Sequence, residues 1–104
     1  MSVVSVYAAF ANAEEAERIA RVVVEERLAA CVNILSPVRS IYRWQGTVET
    51  ADEVAAIFKT THHQVDALMT RIAGLHSYDV PCIVTWPVDK LLRPYADWVE
   101  DSVG

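Results

Sequence analysis

The sequence predicts an α+β domain with elements in the order β-α-β-β-α-β and a terminal helix. Three observations predict it. Two long β-rich runs, 30–44 and 47–61, meet at Gln45-Gly46, which reads as the turn of one extended hairpin. Apolar residues recur at helical spacing over 13–29 and again after Thr61. Only three glycines and four prolines interrupt 104 residues, which leaves long, unbroken elements. That length is one domain's worth, and a domain of this size buries roughly two thirds of its unfolded surface.

Each element has its own signal. Ser2 to Ala9 is β-branched and uncharged, as in a strand buried on both sides. Asn12 and Glu15 give the N-cap and N3 pattern of a helix start. From Ala13 to about Ala29, Ala16, Ile19, Ala20, Val23, Val24 and Leu28 form one stripe, while Glu14, Glu17, Arg18, Arg21 and Glu25 face away. The second strand begins near Ala30 and is interrupted at Ser36-Pro37. Proline cannot donate to a ladder, so a bulge or an edge position is expected there. Past it, Val38, Ser40, Tyr42 and Trp44 share one face, and Arg39, Ile41 and Arg43 the other.

Gly46 supplies a positive φ to the turn. The return strand from Thr47 to Thr61 is polar near its start and apolar near its end. Thr61 and Gln64 have the spacing of a capping box opening a second helix, whose stripe is Val65, Leu68, Met69, Ile72 and Leu75 and which ends near Gly74. A loop, His76-Ser77-Tyr78-Asp79, leads to a last strand over 80–88. Pro81 and Pro87 suit strand edges or strand ends. Pro94 suits the first turn of a terminal helix with Tyr95, Trp98 and Val99 on its inner face. This order is the ferredoxin-like split βαβ arrangement, with helices on one face of a four-stranded sheet.

The hairpin is long for its domain. Its first arm would span about 50 Å if straight, at ~3.3 Å per residue. A compact domain of this length is roughly 34 Å across. The hairpin must bend or project, and a projecting arm carrying Val38, Ile41, Tyr42 and Trp44 needs another subunit to cover it. An apolar fraction of 53% points the same way.

Composition also excludes. A net charge of −5 without a basic stripe argues against nucleic-acid binding. No apolar run approaches the ~20 residues of a membrane span, and no basic segment precedes an apolar one at the start, so a soluble cytoplasmic protein is expected. Cys31 and Cys82 read as reduced thiols: small buried apolar side chains in one reading, metal ligands in the other. No nucleophile-elbow or phosphate-loop pattern occurs, and no enzyme is assigned.

The segments LAACVNI at 28–34, SIYRWQG at 40–46, Glu53, KTT at 59–61, HSYDVP at 76–81 and the spacing to Tyr95 and Trp98 together resemble the CutA1 divalent-cation tolerance proteins. The resemblance spans nearly the whole chain, which reads as one CutA1-like domain over 1–104. It implies a ferredoxin-like fold, a tight homotrimer built through the long strands, high thermal stability, a cytoplasmic location and an association with tolerance to copper and other divalent cations. Three positions depart from the family pattern. Ala8-Ala9 stands where it usually has two threonines. Gln45 replaces the glutamate of its hairpin tip, and Cys82 replaces a glutamate before the last strand, exchanging a hard ligand for a soft one.

Cys31 and His76 match family positions, and Asp79 and Cys82 lie close behind His76. These four form the candidate metal set, for copper or another divalent ion. His76 reads first as a structural group, capping or hydrogen bonding at a subunit cleft, and second as a ligand. His62-His63, in the first turn of the second helix, read as a solvated pair because adjacent helix residues do not share a face. The aromatic set Tyr42, Trp44, Tyr78, Tyr95 and Trp98 reads first as core and interface packing. Lys59, Glu53, Tyr78 and Trp98 are the candidate lining of an inter-subunit ligand cleft, with Lys59 and Glu53 as a charged pair that fixes register or binds an anion. Two other functions stay open: a trimeric signalling protein like the PII proteins, binding a small ligand between subunits, and a structural scaffold.

Overall fold

The computed structural model describes residues 2–104. Its elements are β1 (Val3–Phe10), α1 (Ala13–Glu25), β2 (Cys31–Trp44), β3 (Thr47–Thr61), α2 (Val65–Leu75), β4 (Ile83–Pro87) and α3 (Arg93–Ser102). The strands form one antiparallel sheet in the order β2-β3-β1-β4. This is the arrangement expected from the sequence. Among the described residues no helix is long and apolar enough to cross a membrane.

Strand alternation divides the sheet into two faces. Val4, Val6, Ala8 and Phe10 of β1 and Val54, Ala56 and Phe58 of β3 meet Ala16, Ile19 and Val23 of α1 and Val65, Leu68 and Ile72 of α2, forming the main core. The opposite face carries Val3, Ser5 and Tyr7 of β1, Ile57 and Lys59 of β3, Cys31 and Asn33 of β2, and Val84 and Trp86 of β4, by register. Among the described residues α3 alone covers it, at one end: Ala96 and Val99 pack on Val3 and Ala30. Val84 and Trp86 remain exposed.

The hairpin projects, giving the molecule extents of 45 × 26 × 23 Å. Between Ile34 and Pro37 the register shifts, so that one extra residue of β2 is accommodated as a bulge. Pro37 therefore occupies both predicted settings, a bulge and an edge strand. The turn is left-handed at two residues: Gln45 has φ 50° and Gly46 φ 82°. Ile41 is 70% exposed and Val48 58%, and Tyr42 and Trp44 on the other side are also exposed.

The structure corrects several expected boundaries. The first helix stops at Glu25, four residues short of Ala29. Arg27 turns left-handed (φ 61°), and the N–H groups of Leu28 and Ala29 both donate to Val23 O. Leu28 still packs on the core, which is why the apolar stripe outlasts the helix. Thr61 does not cap the second helix. It is the last, buried residue of β3, and Gln64 stands at the N-cap without a side-chain bond. His62 and His63 lie in the intervening turn, ahead of the helix. The last strand is Ile83–Pro87, shorter than 80–88: the ladder with β1 begins at Ile83, opposite Ala8, and ahead of it Cys82 O accepts from Ala9 N only at a long 3.4 Å. Tyr95 and Trp98 are not on the inner face of α3. Ala96 and Val99 occupy it, three residues apart, and the two aromatics lie partly exposed at its flank, their rings tilted by 33° with 5.7 Å between centroids.

Candidate metal and ligand site

Residues 76–82, between α2 and β4, cross the end of β1 and bring together most of the side chains singled out above. His76 lies flat on Phe10, with ring centroids 4.9 Å apart and planes 16° from parallel. Its Nε2 is 2.8 Å from Ala9 O, and its Nδ1 is 3.1 Å from Tyr78 N. A carbonyl only accepts and a backbone N–H only donates, so His76 is the neutral Nε2–H tautomer with both nitrogens engaged. It takes a metal only by giving up one of these bonds.

Glu15 fixes the same segment from below. Its backbone N–H donates to Asn12 Oδ1 (2.8 Å), as the cap pattern predicts. Its carboxylate does more than close the cap: one oxygen accepts from Ala11 N (3.2 Å) and the other from Ser77 N (2.7 Å), 62 residues away. Glu15 is 7% exposed, the one buried carboxylate among the described residues. Burial pushes its carboxyl up, but the Ser77 and Ala11 donors outweigh burial and hold it below the ordinary range.

Tyr78 reaches the base of the hairpin, where its hydroxyl donates to Glu53 Oε2 at 2.8 Å. Burial and the Glu53 carboxylate push this phenol up to about 12. Tyr42, opposite Glu49, is also raised, by burial and then by Glu49 and Glu53.

Cys31 belongs to a different place. It pairs with Lys59 on the open face, and its Sγ lies 3.4 Å from Tyr95 Oη. That bond and burial raise the Tyr95 phenol to about 12. Lys59 in turn opposes Ser5 of β1, whereas His76 and Cys82 bond to Ala9. Four residues of strand, about 13 Å, separate those two points along the sheet. One chain therefore does not bring Cys31 to His76 and Cys82. Asp79 and Cys82 are exposed on the crossing segment. Among the described residues no three His, Cys, Asp or Glu side chains are grouped to hold a metal ion.

The expected cleft residues fall into separate sets in the same way. Glu53 and Tyr78 are hydrogen-bonded to each other. Lys59 and Glu53 share one face of β3 but stand six residues apart, about 20 Å, so the charged pair does not form within a chain. Trp98 lies against Tyr95, whose hydroxyl is beside Cys31.

Sequence reasoning missed the second role of Glu15. The capping pattern was visible, but nothing in it names Ser77.

The family model of the CutA1 divalent ion tolerance protein matches residues 4–102. A divalent-cation tolerance protein CutA of Thermus thermophilus is 47% identical over 91 residues, 88% of each chain. The CutA structure from Xylella fastidiosa superposes with a TM-score of 0.97 at 36% identity, covering all of both chains. That of Archaeoglobus fulgidus, a divalent cation tolerance protein described as periplasmic, gives 0.95 at 37% identity over 98% of this chain and 99% of its own. With a family match over nearly its whole length and this fold, the chain belongs to the CutA1 divalent ion tolerance family.

Proposed function

We propose that this protein is a homotrimer that supports tolerance of copper and other divalent cations by binding the ion rather than by catalysis. The assembly half rests on one observation. Among the described residues, the face of the sheet opposite the main core is covered at its Val3 end, and Trp86, Val84, Tyr42 and Trp44 stand exposed along the rest. The hairpin is apolar on its other side as well, at Ile41 and Val48. Copies of the same chain cover such a surface by strand-to-strand packing. The partner is the protein itself; its acidic charge disfavours nucleic acid.

The metal half rests on family membership and on ligand chemistry. His76 is committed to Ala9 and Tyr78, so the soft ligands are the two free thiols, Cys31 and Cys82. Asp79 is the carboxylate nearest Cys82 in the chain. Cys31 lies on the face that assembly covers, and Cys82 on the segment that crosses β1. Two free thiols suit a reducing compartment, and the cytoplasm is the proposed location. The test is a copper(I) titration, against a chromophoric chelator, of wild type beside Cys31→Ser and Cys82→Ser. Affinity falls in at least one variant; unchanged affinity in both removes the thiols as ligands.

A further inference from the structure

We propose that Glu15 is the latch of the segment 76–82 and thereby the positioning residue for Asp79 and Cys82. The hydrogen bonds of this segment fall at its two ends. His76, Ser77 and Tyr78 bond to Ala9 O, the Glu15 carboxylate and Glu53 at one end, and Cys82 O accepts from Ala9 N at the other. Asp79, Val80 and Pro81 bridge between them, all but Pro81 well exposed. Of these anchors, the Ser77 bond is the shortest, at 2.7 Å, and the one made by a buried charge.

The same carboxylate holds Ala11, the last residue before the N-cap of α1. One side chain thus joins the end of β1, the start of α1 and the crossing segment. A ligand that binds the segment as these bonds hold it stabilises them, and their loss weakens the ligand by the same factor. The coupling to metal rests on the ion-binding role proposed above; the latch itself does not.

Glu15→Gln tests it. The amide keeps one acceptor oxygen but turns an NH2 toward the second backbone N–H, donor against donor. Two measurements are made on the assembled wild type and variant: amide hydrogen exchange, and the copper(I) titration. The latch predicts roughly tenfold faster exchange at Ser77 and Tyr78, with β1 and β3 amides unchanged. It also predicts weaker copper binding. Glu15→Asp, which keeps the charge but withdraws it from Ser77, carries the same expectation should the glutamine variant fold poorly. Unchanged exchange at Ser77 and Tyr78 overturns the latch, as does a uniform acceleration across all strands. Equal copper affinity in both proteins overturns the positioning role. If wild type binds no copper while the local acceleration is present, the latch stands and the ion-binding reading falls.

Discussion

Tyr78 donates its phenolic hydrogen to Glu53 across 2.8 Å, tying the segment that follows α2 to the base of the long hairpin. Burial and this bond together set the phenol high, since ionising it would place a second negative charge beside Glu53 in a poorly hydrated spot. In an alkaline ultraviolet titration, one tyrosine that ionises near pH 12 is therefore expected to be lost in Tyr78→Phe. The same variant is expected to lose about 1 kcal/mol of stability in urea, the typical net value of one hydrogen bond. A titration curve that keeps all its late-ionising phenols would show that Glu53 does not hold Tyr78.

Glu15 sets an acid limit. Its folded-state carboxyl lies below its unfolded value, so its contribution is fully present above the unfolded pKa of roughly 4.3 and is lost as pH falls through the folded one. Melting temperature is expected to be flat near neutrality and to fall below about pH 4, through this group among the carboxylates. Glu15→Gln starts lower at pH 7 and loses less on acidification. Parallel melting curves of the two proteins from pH 7 to pH 3 would contradict this.

The hairpin turn carries a correctable strain. Gln45 adopts φ 50°, a left-handed setting that asparagine and glycine tolerate far better than glutamine. Gln45→Asn is expected to stabilise the folded chain by a few tenths to about 1 kcal/mol, read as a raised urea midpoint with an unchanged slope. A lowered midpoint would mean that the glutamine side chain makes a contact at the tip worth more than the strain.

Much of this fold was legible because its signals are local. Gln45-Gly46 marks the turn, Pro37 the bulge, and the stripe from Ala16 to Val23 the face of α1 that meets the sheet. The misreadings come where tertiary packing overrides a local pattern. Thr61 looks like a cap but completes β3. Arg27 ends α1 in a left-handed turn that is usually glycine's, so no residue announced it. On α3 the large aromatics looked like core, yet the small Ala96 and the branched Val99 fit against Val3 and Ala30. The candidate site was legible only as residue types. Its geometry depends on pairs such as Glu15 with Ser77 and Cys31 with Tyr95, separated by 62 and 64 residues, and no spacing rule reaches that far.

The open face and the projecting hairpin make assembly the central claim, because a lone chain leaves Trp86 50% exposed together with Ile41, Tyr42, Trp44 and Val48. Sedimentation velocity of the wild-type chain at micromolar concentration tests this most directly. A single species of three times the 11.6 kDa chain mass, unchanged on dilution, is expected. A stable species of one chain mass would contradict it.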